Sequence, residues 1–504
     1  MDALVVGPEP SSAGDRTAKQ ANWPAMIVAA VAVVAVSVAF RLPSCGESFW
    51  LDELHSAWTV DDGFGDVGRR AAAGNQTTGY FHLLWIWSAV FGKGEVAMRF
   101  CSVLASGLAV ALLVIGVSLR TQRVAAGVVA GGMLAIDPNG IFFGCELRPY
   151  ALVMLCSVLA VWSMMIWIDG RPYSGGPSVA WSRQSHRGAR WRLSMLFWIC
   201  VAALVHPTSV GVLWMLVPFA FFASRMKGRL ELWRADFIAG VLVVATLGLL
   251  AMSSLPDSWQ RRDLWRAFGQ ATNWWQLWQA WAWIPLVVVP FASAGLAWGG
   301  MRITGRVFLT RGTDADQANG QWDWIGLIPA IVGVFGTVGF FCASYYGWVP
   351  LWHRRYFVAA LPLLSWTAGE LSAIVLSQLD LAAVKMTRMQ QGGKFFVGVG
   401  VMFSVTVATC ILGFQLWYQG TTQTLFSGQL PVQFRGEQWR EAVATVREER
   451  RAGEPIWLDS DLIEASFLRQ SVRETAALTD DQWGYLKFPL DGPYWLDPVL
   501  VVAC

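Results

Sequence analysis

Apolar runs of bilayer length recur along this chain, from Trp23–Phe40 near the start to 395–417. Such a run demands a helix, because backbone polar groups in hydrocarbon must pair within their own segment. Composition agrees. Only 14% of the 504 residues are charged and 55% are hydrophobic, with a mean hydropathy of +0.43. A water-soluble protein carries about a quarter charged residues. The pattern is that of an all-α polytopic membrane protein. A net charge of +3 says little, since placement outweighs the sum in such proteins, and nothing points to nucleic acid. The eight cysteines form neither a metal-spaced cluster nor a disulfide framework. The sequence therefore names no metal site, although it leaves room for a divalent ion bridging Asp52 or Glu146 to a phosphate.

Spans are expected at 24–41, 96–119, 124–142, 150–168, 193–206, 208–224, 235–253, 281–299, 324–343, 357–376 and 395–417. The first, behind Arg16 and Lys19, is too long for a signal peptide's core and reads as a signal anchor. "TGYFHLLWIWSAVFG" (78–92) is apolar for only about 13 residues and is expected to lie in the interface. Leaving it out gathers the basic loops on one side: Arg120/Arg123, 171–192, 225–234, 302–311 and 385–394. Lys and Arg in short loops mark the cytoplasmic side. The expectation is therefore about 11 spans in the inner or plasma membrane, N-terminus inside and C-terminus outside. Residues 1–22 become a cytoplasmic tail, 23–417 the transmembrane domain with a first outer loop at 42–95, and 418–504 a small extracytoplasmic α/β domain. In that last part "EQWREAVATVREER" (437–450) reads as a helix with Trp439, Val443 and Val446 on one face. "PIWLD" (455–459) reads as a strand and "DLIEASFLRQ" (461–470) as a second helix.

On the outer side stand "WLDELHS" (50–56), "GCELRPY" (144–150), "VHPTS" (205–209) and "YYGWVPLWHRRYF" (345–357). Carboxylates at the edge of hydrocarbon are costly and tend to be functional. Asp52 either caps a short interfacial helix or carries chemistry. Asp52 and Glu53 are neighbours, so on a helix they point about 100° apart and suit two distinct roles. Glu146, Arg148 and Tyr150 open a span, as an interfacial anchor or as part of a site. His353, Arg354 and Arg355 break the positive-inside trend and call for an anionic partner, either lipid headgroups or a ligand phosphate. Cys45 and Cys145 both fall on this side, where a disulfide is permitted. A carboxylate in one loop and cations in another suit glycosyl transfer from a phosphate-linked sugar.

In order along the chain stand "DE" at Asp52–Glu53, the aromatic 78–92 segment, "EVAMRFCSVLASGLAV", "CELRPYAL", "HP" at His206–Pro207 and "RRYFVAALP". Over residues 24–365 this series resembles the membrane glycosyltransferases of superfamily C, in particular the protein O-mannosyltransferase and lipid A aminoarabinose transferase group. The resemblance implies a superfamily C fold, a polyprenyl-phosphate sugar donor, a glycan, lipid or protein acceptor, and an outward-facing site. It implies Asp52 as catalytic base and Glu53 as helper. It also implies donor or substrate contacts from Glu146, Arg148, Tyr150, His206, His353, Arg354, Arg355 and Tyr356. Many relatives carry Asp where Glu146 stands. A lipid-linked oligosaccharide ligase or polymerase is a close alternative. A secondary transporter is a distant one, because the halves lack symmetry and the unusual charges lie outside rather than at mid-depth.

Overall fold

The computed structural model describes residues 22–169, 185–227, 234–253, 266–297, 324–388 and 436–451, with isolated positions around them that include Tyr494. Among these residues the fold is nearly all helical. Seven helices are long and apolar enough to cross a bilayer, eight if one bent pair counts as a span. The chain is a multi-pass membrane protein. Eight of the expected spans are found in this way. Those at 235–253 and 281–299 contain shorter apolar helices, Asp236–Thr246 and Ile284–Ala297, and 395–417 lies outside the described residues.

The elements in order are α1 (Trp23–Cys45), α2 (Leu51–Thr59), α3 (Val67–Ala73), α4 (Thr78–Phe91), α5 (Glu95–Thr121), α6 (Val124–Ile136), α7 (Pro138–Cys145), α8 (Tyr150–Asp169) and α9 (Ser185–Val205). They continue as α10 (Val210–Leu213), α11 (Leu216–Met226), α12 (Arg234–Ser253), α13 (Arg266–Gly269), α14 (Trp275–Gln279), α15 (Ile328–Tyr345) and α16 (Ala360–Arg388). Helix α5 is central, packed on α1, α6 and α8, while α16 packs on α6 and α15. At Gly369 an added Cβ would come within 2.7 Å of the Ala130 side chain and 2.8 Å of the Ala126 carbonyl, so α16 lies backbone-close on α6.

One break in the bundle shapes the site. Helices α6 and α7 meet at 66°. Pro138 cannot donate to Leu134, and the Asn139 amide bonds the Asp137 carboxylate at 2.8 Å instead of Ala135. Two carbonyls are thus left over inside the bundle. Arg41 of α1, fully buried, donates to both, at 3.3 Å and 3.1 Å, and to Gly140 at 2.7 Å. A buried charge is tolerated here because orphaned carbonyls surround it.

The connections sort to two ends. Helix α4 stays at one of them. Thr77, before it, donates to the Val205 carbonyl at 3.1 Å, and Lys93, after it, bonds Asp61 at 2.9 Å. The aromatic 78–92 segment is 14 helical residues that do not run the length of the bundle. At the far end, Arg120 pairs with Asp169 (2.9 Å) and Glu370 (2.5 Å), Trp366 donates to Glu370 (3.0 Å), and Lys227 reaches Asp169 (3.4 Å). These pairs staple α5, α8 and α16 away from the site.

Beyond the bundle, α17 (Trp439–Glu449) buries Val443, and strand β1 (Ile456–Leu458) pairs in parallel with β2 (Val501–Ala503). The expected helix and strand both form, while 461–470 lies outside the described residues.

Candidate active site

Asp52 sits in the first turn of α2. Its Oδ2 accepts from Arg355 Nη1 at 2.7 Å, and its Oδ1 lies 3.3 Å from Arg148 Nη2. Arg148 enters from the short link between α7 and α8, and Arg355 from a 3₁₀ turn at Arg354–Tyr356. The two conceivable roles for Asp52 therefore separate. Asp52 is not the cap of its helix. The first free amides of α2 are taken by other acids, Trp50 N–H by Glu53 at 3.4 Å and Leu51 N–H by Glu437 at 2.8 Å.

Burial alone would raise the Asp52 pKa, but Arg148 and Arg355 overcome it and hold the carboxyl down at about 2. Burial opposes the charge on both arginines. Asp52 and Tyr150 more than offset that, and both guanidinium groups are held above their usual range. Asp52, Arg148 and Arg355 thus hold one another charged at neutral pH.

Glu53 points elsewhere, as the helical angle requires. It is fully buried and bidentate to Arg99, with Nε to Oε1 at 3.0 Å, and also accepts the Leu147 amide at 2.8 Å. It does not line the cavity beside Asp52, and it contacts Arg99 and backbone amides.

A cavity of about 500 Å³ opens beside the cluster, walled by Trp50, Phe142, Glu146, Trp352, Arg354 and Arg355 among others. Arg355 is shared between the cavity and Asp52. Arg354 is fixed by Asn139 Oδ1 (3.1 Å) and the Gln279 carbonyl (2.8 Å). His353 Nδ1 accepts from Arg355 Nε at 3.1 Å, which orients the Arg355 fork. His206 stands behind, stacked on Tyr356 (6.3 Å) and edge-on to Tyr150 (5.3 Å). The structure thus brings together Asp52, Glu146, Arg148, Tyr150, His206, His353, Arg355 and Tyr356, keeps Arg354 in the same cavity wall, and turns Glu53 away.

Among the described residues no three metal-ligating side chains converge, and both Asp52 oxygens face guanidinium groups. The paired guanidinium groups suit an anion. Cys45 and Cys145 pack together against Val103 and are not joined by a disulfide, their thiols bonding the Arg41 and Phe142 carbonyls. Sequence reading missed Arg41 and Arg99. Each is an arginine within an apolar run, and that alone marks a buried partner. It also missed Asn139, Gln279 and the C-terminal contacts, which carry no local signal.

Two buried histidines, His55 and His206, and the half-buried His353 set an acid limit on stability. Burial, helped by Arg148, lowers the pKa of His55 to about 3. Burial with Arg148 and Arg355 does the same for His206, and burial with Arg355 for His353, each to about 3. The unfolded chain binds these protons near pH 6.5 and the folded chain does not, so stability falls as pH drops from about 6.5 toward 3. Each histidine contributes at most about 1.4 kcal/mol per pH unit. Asp52 adds a loss only at lower pH, between its ordinary carboxylate range and about 2. Thermal unfolding followed from pH 7 to 5 is expected to show a falling midpoint, with a shallower slope for His206→Gln. An equal slope in that variant would exclude His206 as a source.

No family model and no curated protein matches this chain. Among solved structures it is similar to ArnT from Cupriavidus metallidurans bound to undecaprenyl phosphate, at 15% identity over 87% of this chain and 82% of that one, with a TM-score of 0.45. It is also similar to the oligosaccharyltransferase of Archaeoglobus fulgidus in its apo form, at 13% identity over 85% of this chain and 58% of that one, TM-score 0.42. A third is AglB of the same organism in complex with an inhibitory peptide and a dolichol-phosphate, at 14% identity over 86% and 58%, TM-score 0.44.

Proposed function

We propose that this protein is a membrane glycosyltransferase. It moves a sugar from a polyprenyl-phosphate donor to an acceptor hydroxyl, with inversion, at the outer face of the inner or plasma membrane. One observation carries the reading: a carboxylate, Asp52, is paired with Arg148 and Arg355, and Arg355 with Arg354 lines the adjoining cavity.

The chemistry follows from these groups. The acceptor hydroxyl gives its proton to Asp52 as its oxygen attacks the anomeric carbon. The bond from that carbon to the phosphate oxygen breaks, and its electron pair leaves on the phosphate. The phosphate gains one negative charge, which Arg355 and Arg354 stabilise. A carboxyl held at about 2 is a weak base in the resting site. A donor phosphate that takes up Arg355 loosens its hold on Asp52 and raises the basicity of Asp52 when it is needed. No covalent sugar–enzyme intermediate is required.

The basic loops support placing the far end in the cytoplasm and the site end, with the 418–504 segment as a small outer domain, outside. The test is turnover in sealed vesicles of known orientation, with a polyprenyl-phosphate sugar in the bilayer and an impermeant acceptor added outside. Arg355→Ala is expected to raise the KM for donor far more than that for acceptor, costing about 2–5 kcal/mol in kcat/KM. Equal donor KM in variant and parent would remove Arg355 from the donor site.

A further inference from the structure

The linker from Glu47 to Leu51 is the mount on which α2 and Asp52 stand. Several of its backbone groups are held by side chains from distant elements. The carbonyls of Glu47 and Ser48 accept from Arg99, at 2.5 Å and 2.9 Å. The Trp50 amide goes to Glu53. The amides of Phe49 and Leu51 go to the C-terminal segment, 445 and 386 residues further along the chain. Phe49 N–H donates to Tyr494 Oη at 2.7 Å, and Leu51 N–H donates to Glu437 Oε2 at 2.8 Å.

Neither contact is casual. The Tyr494 ring stacks on Phe49 at 5.3 Å and is only 7% exposed. Its hydroxyl in turn donates a hydrogen bond to Glu95 Oε1 at 2.9 Å, at the start of α5. Glu437 is held by Trp439 Nε1 at 2.6 Å, and Arg440 ties the same region to Glu95 (3.0 Å) and, through its amide, to Ser48 Oγ (3.0 Å). Glu437 also places a negative charge at the N-terminus of α2, where the helix dipole favours it. None of these side chains lines the cavity.

We propose that Tyr494 and Glu437 are positioning residues for catalysis, which hold the linker so that Asp52 meets the acceptor hydroxyl at the right distance. The inference rests on the transferase reading above. It makes the C-terminal segment a working part of the catalytic loop, so that whatever moves that segment moves the base. Displacement of a reacting group by about 1 Å costs about 10²-fold in rate.

Tyr494→Phe keeps the stack on Phe49 and removes only the hydroxyl. In the full-length protein with a polyprenyl-phosphate sugar, kcat is expected to fall about 10- to 100-fold. Donor KM is expected to stay within about twofold, because Arg354 and Arg355 stand on other elements. Glu437→Gln keeps an acceptor for Leu51 and is expected to retain most activity, whereas Glu437→Leu is expected to behave like Tyr494→Phe. In an Asp52→Asn background, Tyr494→Phe is expected to add no further loss, since the group it positions is gone. An unchanged kcat, or the same fold-loss in both backgrounds, would overturn the proposal, the second by showing a loss of folded protein. A loss in Asp52→Asn with none in Tyr494→Phe removes the positioning role and leaves the transferase reading standing. Full turnover in Asp52→Asn removes the reading itself.

Discussion

Asp52→Asn is expected to lower turnover by about 10²–10⁴-fold, the usual loss for a general base. The amide matches the carboxylate in shape and can still accept from Arg355, so the site keeps its form. What it cannot do is take the acceptor's proton. A second result is expected alongside the first. In the resting protein Asp52 competes for Arg355, since its Oδ2 lies 2.7 Å from that guanidinium. Removing its charge leaves Arg355 freer for a phosphate. Binding of polyprenyl phosphate in a lipid nanodisc is therefore expected to be as tight as in the parent or tighter, while turnover collapses. That split distinguishes a base from a binding group, which would lose affinity and rate together. Near-native turnover in a correctly folded Asp52→Asn protein would end the assignment and turn attention to Glu146, a buried carboxylate in the cavity wall.

Much of this site was legible because apolar surroundings make charge conspicuous. Asp52, Glu146, Arg148 and Arg355 stand out in a sequence with few charges, and sorting loops by their basic residues puts all four at one end. The structure brings Asp52, Arg148 and Arg355 into contact there. Periodicity could not supply the partners. Asp52 and Glu53 are adjacent, and the 100° between them sends one to Arg355 and the other to Arg99. The angle was readable, but the occupants of the two directions were not, because they come from residues 46 and 303 positions further on. The break at Pro138 shows the same limit. A single span was expected over 124–142, yet Asp137–Pro138 stops the helix, and only the distant Arg41 makes the break tolerable. The tail contacts were least legible of all, since nothing local in Glu437 or Tyr494 points to the first loop.

Glu53→Gln is expected to cost stability first and activity only as a consequence, whereas the sequence alone gives Glu53 the milder share of the chemistry. Both partners of the Glu53–Arg99 pair are fully buried. Neutralising one leaves the other as an uncompensated buried charge, at a cost of about 3–5 kcal/mol. In many proteins, replacing both partners with apolar residues restores most of that loss. Here it is expected to restore little. Arg99 also donates to the carbonyls of Ser44 (3.3 Å), Cys45 (3.0 Å), Glu47 (2.5 Å) and Ser48 (2.9 Å), and Glu53 accepts the amides of Leu147 (2.8 Å) and Trp50 (3.4 Å). An apolar pair would strand these backbone groups, each at about 1–3 kcal/mol. The measurement is the thermal midpoint and folded yield of Glu53→Gln, Arg99→Met and the Glu53→Met/Arg99→Met double variant. A double variant as stable as the parent would mean the pair is dispensable. One well below it would identify Glu53 and Arg99 as the joint that fixes the Glu47–Leu51 linker and α2 to α5.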